Sequence, residues 1–236
     1  TAAYPAEVAA LIISDVPEND IASIASGPTV LDSTTVADAK AILATHDITA
    51  SAHIEFIETP KEQKYFERVT NFLLLTNEIP LQAMVKLALT IGFTPTIKDS
   101  TLTGEARVVG EAIARAISAA PPGSVHLYGG ETTVVIRGTG KGGRNQELAL
   151  GALPLLSAGE VVLSFASDGV DNGDHAGALC DTITTKKAQE AKLDSRALLE
   201  QNDSHTFFSA IGDHLDTGYT GANVSDFVIA LKMNHA

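Results

Sequence analysis

Short apolar runs alternate with helical patterns along most of the chain. Seven runs rich in β-branched and aromatic residues predict strands, at residues 10–13, 72–75, 94–97, 125–128, 132–136, 161–165 and 227–231. Apolar residues at helical spacing predict helices between many of these runs, at 36–43, 81–91 and 104–117. The alternation predicts a three-layer α/β fold with a largely parallel sheet.

Two details of this pattern concern connections. Only three residues separate the runs 125–128 and 132–136, so these two strands are predicted to form a local antiparallel hairpin. The stretch 45–64 is polar and carries Pro60 and scattered charges, without a clear strand pattern. It is therefore the expected boundary between two units, 1–60 and 61–236.

A glycine-rich loop stands between the run 132–136 and a helix-forming segment. Four glycines fall within residues 138–143, and Lys141 and Arg144 add two cations. A strand, a glycine loop and a helix N-terminus together form a typical anion site, because free backbone N–H groups and the helix dipole converge there. We therefore expect a phosphate here, with Lys141 and Arg144 as its cations. The alternative is a cationic turn before a surface helix.

Other polar clusters follow predicted strands, where ligands bind in α/β sheets. Ser14 and Asp15 follow the first strand, and either bind a ligand or cap a helix. Asp168 and Asp171 lie in the loop 167–177, which is expected to hold Mg²⁺ or a polyol, or else is an acidic surface loop. A second glycine-polar loop, 217–226, contains Asn223. The seven histidines show no metal-ligand spacing.

Composition narrows the class of protein. The 236 residues are 44% hydrophobic and 19% charged, which is typical of a globular protein. A net charge of −13 disfavours nucleic acid or an anionic membrane as a partner. Cys180 is the only cysteine, so an intrachain disulfide is excluded. With no signal peptide or membrane-length apolar run visible, a cytoplasmic location is expected.

Taken together, the loops resemble the glycerate 2-kinase family, whose C-terminal region is the MOFRL domain. The strongest match combines Gly129-Gly130-Glu131-Thr132-Thr133 with Gly142-Gly143-Arg144-Asn145-Gln146-Glu147. Five further motifs occur in the same order, namely Ser14-Asp15-Val16, the segment 24–29, Gly104-Glu105-Ala106-Arg107, Asp168-Gly169-x-Asp171 and Asn223-Val224-x-Asp226. The family's Gly-Pro-Thr-Gly-Thr-Asn is here Gly218-Tyr219-Thr220-Gly221-Ala222-Asn223, which departs from the pattern.

The resemblance implies a fold and a reaction. Residues 1–60 would be the end of a preceding Rossmann-like glycerate kinase domain, and 61–236 the MOFRL-type domain. The family's members are nearly twice this long, so this chain resembles their C-terminal part and is expected to have little activity alone. The implied reaction transfers the γ-phosphoryl of ATP to the 2-hydroxyl of D-glycerate, with Mg²⁺ as cofactor. A homodimer is left open as the assembly.

The resemblance also implies roles for residues. Arg144 would be the main electrostatic clamp, assisted by Lys141, and Asp168 the first candidate for a general base. Glu131, Asp168 and Asp171 would bind Mg²⁺ or orient the 2-hydroxyl, and Asp168 and Asp171 are the first candidates for the metal. The remaining substrate- or phosphate-binding candidates are Ser14, Asp15, Gly129, Gly130, Glu131, Gly142, Gly143, Asn145 and Asn223.

Two other classes of function stay open. Gly138-x-Gly140-x-x-Gly143 matches the dinucleotide fingerprint formally, and some family members carry the name hydroxypyruvate reductase, so an NAD(P)-dependent reductase is the first alternative. The second is a non-catalytic ligand-binding fragment.

Overall fold

The computed structural model describes residues 1–16, 19–48 and 55–234. The chain divides into two compact units, one of Thr1–Ile13 with Asn19–Leu74, the other of Ser14–Glu18 with Leu75–Ala236. The division thus falls after Leu74, whereas the sequence pattern places it between residues 60 and 61.

The first unit contains one long helix and a strand pair. Strand β1 (Val8–Ile13) is hydrogen-bonded to β2 (Val69–Leu75). Helix α1 spans Val36–Thr45. It begins with a reciprocal cap, because the Thr35 hydroxyl accepts from the Asp38 N–H while the Asp38 carboxylate accepts from the Thr35 N–H.

The second unit is built on a six-stranded sheet. Its strands are β3 (Thr94–Leu102), β4 (Ser124–Gly130), β5 (Glu160–Ala166), β6 (Gly177–Cys180), β7 (His214–Leu215) and β8 (Asp226–Lys232), in the order β3-β4-β8-β5-β6-β7. The α/β class is confirmed, but only β3 and β4 pair in parallel. The prediction of a largely parallel sheet is wrong for this sheet, because β8 inserts antiparallel between β4 and β5, and β6 pairs antiparallel with both β5 and β7.

Helices cover both faces of this sheet. They are α2 (Glu78–Thr90), α3 (Ala106–Ser118), α4 (Arg144–Ala152), α5 (Thr182–Glu190), α6 (Ser195–Glu200) and α7 (Ser204–Ile211). Leu81 of α2 packs with Val125 and Leu127 of β4, while α3 and α4 belong to a larger core cluster on the alternate strand residues.

Two glycines let α3 and α4 cross closely. A Cβ added at Gly110 would lie 2.1 Å from the Leu148 carbonyl oxygen, and one at Gly151 would lie 2.6 Å from the Arg107 carbonyl oxygen. The backbones of the two helices are therefore in direct contact, and α4 is held rigidly against α3.

The predicted strand 132–136 is absent, and with it the predicted hairpin. The segment makes only an isolated bridge from Thr133 to Glu105. The physical reason is that β4 already pairs with β3 on one edge and β8 on the other, so no edge is free. At Gly130 the backbone adopts a φ of 145° against Leu102, and the chain leaves the sheet.

Candidate active site

A charged cluster forms at the edge of the sheet where β4 and β5 end and β8 begins. Because β8 runs antiparallel, its first residue, Asp226, lies beside Gly130 at the end of β4 and Ala166 at the end of β5. Arg144, the first residue of α4, donates from Nε to Asp226 Oδ2 at 2.5 Å and from Nη2 to Oδ1 at 3.2 Å. Its Nη1 pairs with Glu131. The guanidinium is thus fixed in orientation by two carboxylates.

The electrostatics of this cluster are dominated by carboxylates. Burial raises the pKa of the Asp226 carboxyl, and the charge of Asp168 adds to this, while the hydrogen bonds from Arg144 oppose it. The charge of Asp171 also acts on Arg144. Several carboxylates therefore surround one guanidinium, whose side chain is 34% exposed. The excess negative charge favours a cation at this position.

The glycine loop is explained by close packing against the protein itself. A Cβ at Gly138 would lie 2.5 Å from the Gln201 Cα, one at Gly140 would lie 2.4 Å from the Asp203 Cβ, and one at Gly142 would lie 2.1 Å from the Ser204 hydroxyl. Each distance is far below van der Waals contact. The sequence predicts a phosphate beside these glycines, whereas the atoms that approach them in the structure belong to the connection between α6 and α7 and to the first residue of α7.

The same connection also takes up much of the loop's hydrogen bonding. The Asn202 side-chain oxygen accepts from the Arg137 and Gly138 N–H groups at 2.6 and 3.0 Å. Its amide nitrogen donates to the Val135 carbonyl and to the Glu147 carboxylate. The N–H groups of the loop at 138, 140 and 141 all donate to protein acceptors. The prediction that they bind phosphate is therefore wrong for these three groups.

Asp171 occupies the N-terminus of α4. Its two carboxylate oxygens accept four hydrogen bonds at 2.9–3.3 Å, two from Asn145 and two from Gln146, each using its backbone and its side-chain N–H. Burial raises the pKa of this carboxyl, and the donors oppose that shift. Asp171 therefore acts as a helix cap contributed by a distant loop, which corrects its predicted role as a Mg²⁺ ligand.

Asn145 also requires a correction. It is 2% exposed, and its side chain lies between the Asp171 carboxylate and the Ser164 hydroxyl, which donates to it at 2.6 Å. Both ends of its amide are satisfied inside the protein, so we assign it to the support of α4 and not to substrate binding.

A cleft of about 480 Å³ lies beside Arg144. Gly142, Gly143 and Arg144 line one part of it, and Val170, Asp171 and Asn172 line another. Lys141 does not line this cleft. Its backbone is bonded to Asp203 and His205, and it lines two neighbouring grooves instead. The two predicted phosphate cations are therefore divided between different surfaces.

The loop 167–177 connects the other predicted loops. On one side, the Asn172 side chain donates to the Gly142 carbonyl at 2.8 Å. On the other side, the Thr220 N–H donates to the Asp168 carbonyl at 2.9 Å. Gly169 also packs closely there, since a Cβ added at Gly169 would lie 2.0 Å from the Gly218 carbonyl oxygen. Three loops far apart in sequence are thus neighbours, although 218–223 does not line the cleft.

The remaining predicted residues lie around this assembly. Ser14 is buried, and the carbonyl of exposed Asp15 accepts from the Ser225 hydroxyl at 2.9 Å, next to Asp226. Asn223 is exposed and accepts from the Ser225 N–H. Gly129 and Gly130 are buried at the end of β4, where an added Cβ at Gly130 would lie 2.3 Å from the Leu102 backbone nitrogen and one at Gly129 would lie 3.0 Å from the Asn77 side chain. For these residues, ligand contact stays a prediction.

Two important residues were missed by sequence reasoning as site candidates. Asp226 appeared only inside a matched motif, and Asn202 appeared in no motif. A signal for Asp226 existed, since it is a carboxylate at the start of a buried strand. Asn202 follows an exposed helix, and its sequence surroundings give no indication of its four hydrogen bonds.

Comparison with known proteins shows which family the chain resembles. The MOFRL family matches residues 124–226, and a domain of unknown function, DUF4147, matches residues 1–58. The glycerate 2-kinase of Pyrococcus horikoshii is 40% identical over an alignment of 244 positions, gaps included, which covers 94% of this chain and 55% of that protein. The chain belongs to the glycerate 2-kinase family. It spans little more than half the length of the relatives it matches.

Two further proteins match a similar share of the chain. The crystal structure of Thermotoga maritima glycerate kinase matches with a TM-score of 0.87 at 34% identity, covering 98% of this chain and 58% of that one. A protein from Agrobacterium vitis that carries a hydroxypyruvate reductase name is 40% identical over 242 residues, covering 95% of this chain and 55% of that protein. Among the described residues, no helix is long and apolar enough to cross a membrane.

Proposed function

We propose that the protein carrying this chain transfers the γ-phosphoryl group of ATP to the 2-hydroxyl of D-glycerate. The observation that carries the proposal is the Arg144 guanidinium, held by Asp226 and Glu131 at the common end of three strands beside a cleft. The 40% identity to a glycerate 2-kinase supports the same reaction. Phosphoryl transfer depends mainly on positioning and charge neutralisation, which such a cluster supplies.

Arg144 is the proposed clamp for a phosphoryl oxygen or the glycerate carboxylate. Asp226 accepts from Nε and from one Nη2 hydrogen, and Glu131 pairs with Nη1, so one hydrogen on each Nη nitrogen is left to bind the oxygens of an anion, in an orientation set in advance by the buried Asp226. Preorganised donors stabilise developing charge without reorganisation during the reaction. Lys141 contributes from the neighbouring groove, as a charge acting at longer range.

The donor set fits Mg²⁺. Asp171 and Asp226 are buried and hold α4 and Arg144. Asp168 is half-buried, and Glu131, although it pairs with Arg144, has a side chain that is 41% exposed, so these two are the carboxylates that would reach a metal ion. Mg²⁺ is usually held by one or two carboxylates and by substrate phosphates, and would neutralise charge on the transferring group. Asp168, half-buried in the loop 167–177, is the proposed residue that orients the 2-hydroxyl or accepts its proton.

The test is a coupled assay with ATP, Mg²⁺ and D-glycerate, followed by identification of the phosphorylated position by NMR. We expect 2-phosphoglycerate. Formation of 3-phosphoglycerate would overturn the regiochemistry. Oxidation of NADH or NADPH by hydroxypyruvate, with no ADP formed from ATP in the presence of glycerate, would replace the kinase with a reductase. The homodimer and the cytoplasmic location stay predictions.

A further inference from the structure

A second cluster outside the cleft links a serine, a histidine and an aspartate. The Ser209 hydroxyl lies 2.9 Å from Nε2 of His175, and Nδ1 of His175 lies 2.6 Å from Oδ1 of Asp216. The histidine therefore contacts the hydroxyl with one ring nitrogen and the carboxylate with the other. This is the arrangement in which a carboxylate orients an imidazole, and the imidazole removes the proton of a serine.

The fold brings these residues together from three elements. Strands β6 and β7 pair, and the Ala176 N–H donates to the Leu215 carbonyl at 2.7 Å, which sets His175 beside Asp216. Helix α7 ends at Ile211, and the next residue, Gly212, has a φ of 73° that returns the chain to β7, so that Ser209 lies on the last turn of the helix. The placement thus depends on the shortest strand of the sheet.

The imidazole of His175 is held in one plane by its neighbours. It is 8% exposed and stacks between the rings of His205, at 4.6 Å, and His214, at 4.0 Å. The hydrogen bond with His175 lowers the pKa of Asp216, so the aspartate is a carboxylate at neutral pH. A fixed ring with a charged partner is the preorganisation that a general base needs.

We propose that Ser209 is a nucleophile that accepts an acyl group from small carboxylic esters, with His175 as its base and Asp216 as the residue that orients the base. Ser209 is exposed and lines an open groove of about 690 Å³, together with Lys141 and His205. A small ester therefore has access to the hydroxyl. This activity is separate from the proposed kinase reaction.

The chemistry runs in two balanced steps. The Ser209 oxygen bonds to the ester carbonyl carbon while His175 takes the hydroxyl proton, and the alcohol then leaves with that proton as its C–O bond breaks. Water next gives a proton to His175 and its oxygen bonds to the acyl carbon. The acid is released when the bond to Ser209 breaks and the proton returns to the serine.

A metal ion is the competing explanation for this cluster. Nδ1 or Nε2 of His175 and His214 and a carboxylate oxygen of Asp216 lie within 4.8 Å of one another. The direct hydrogen bonds favour the nucleophile, because both nitrogens of His175 already have partners. Metal-dependent hydrolysis is accordingly one outcome of the test.

The experiment measures hydrolysis of 4-nitrophenyl acetate and labelling by a fluorophosphonate probe, with the labelled peptide identified by mass spectrometry. Ser209→Ala should abolish labelling and the initial burst, and Asp216→Asn should slow labelling by about 10²-fold. The matched control is Ser118→Ala, since Ser118 is an exposed helix serine whose hydroxyl has no partner among the described residues. Circular dichroism checks the fold of each variant.

The outcomes separate cleanly. Labelling at Ser209 that depends on Asp216 supports the proposal, and glycerate phosphorylation should be unchanged in Ser209→Ala. Absence of labelling, labelling elsewhere, or equal rates in Asp216→Asn overturns it. Hydrolysis that is retained in Ser209→Ala and lost on chelation also overturns it, in favour of a metal-bound hydroxide.

Discussion

The role of Asp171 as a cap for α4 is open to a direct test by Asp171→Asn. The substitution keeps the size of the side chain but replaces one carboxylate oxygen with an NH₂ group. Because each oxygen accepts two hydrogen bonds, two of the four donors on Asn145 and Gln146 lose their acceptor and face another donor. The variant therefore removes half of the cap without opening a cavity.

The expected magnitude follows from these contacts. Hydrogen bonds to charged groups contribute about 1.5–3 kcal/mol each, so the loss of two costs about 3–6 kcal/mol. The substitution also removes a buried charge, whose burial raises the pKa of Asp171, and this offsets part of the loss. We expect a net destabilisation of about 2–4 kcal/mol. For a domain of this size, that lowers Tm by roughly 5–15 °C.

Thermal and urea unfolding of Asp171→Asn and Asp174→Asn measure this effect. Asp174 lies in the same loop but is exposed and makes no side-chain hydrogen bond among the described residues, so its variant should unfold like the wild type. Equal Tm values for the two variants would refute the capping role. If Asp171→Asn instead weakened Mg²⁺ dependence with an unchanged Tm, the predicted metal ligand would be restored.

Three further predictions concern other elements. Arg144→Lys should lower kcat/KM by about 10²-fold, roughly 3 kcal/mol, because the bidentate geometry is lost, and steady-state kinetics measure this loss. Arg144→Ala should also lower the free energy of unfolding by about 1–3 kcal/mol, because it leaves the buried Asp226 unpaired, and urea unfolding measures this change. Gly110→Ala should lower the free energy of unfolding by about 1–3 kcal/mol in urea, since its Cβ meets the Leu148 carbonyl at 2.1 Å. Burial lowers the pKa of His126 from 6.5, so the folded state resists its protonation; stability should be full above that value and fall as pH drops below it, and His126→Gln should flatten this dependence in Tm measurements.

The sequence predicts strands well where β-branched and other apolar residues are contiguous, because such residues favour an extended backbone. Every predicted run except 132–136 lies within a strand of the structure. That exception shows the limit of local pattern. Val134 and Ile136 have strand propensity, but the edges of β4 are claimed by β3 and by β8, and β8 comes from a segment almost one hundred residues away.

The candidate site shows the same limit more strongly. Composition and spacing make Arg144 and Asp168 candidates, because charges beside glycines at strand ends are unusual. Composition and spacing do not show which carboxylates are hydrogen-bonded within the protein itself. Asp171 and Asp168 are indistinguishable in sequence, and only the tertiary position of α4 makes the first a cap.

The connection between α6 and α7, which holds the glycine loop through Asn202, has a consequence for motion. The N–H groups of residues 137, 138, 140 and 141 donate to atoms of residues 201–203, so none can be released while that connection stays in place. These amides should exchange with solvent at a common rate, in one opening event that separates the two segments. The glycine loop and the α6–α7 connection should therefore separate together, and the rate of that separation would limit how quickly this wall of the cleft rearranges around a ligand.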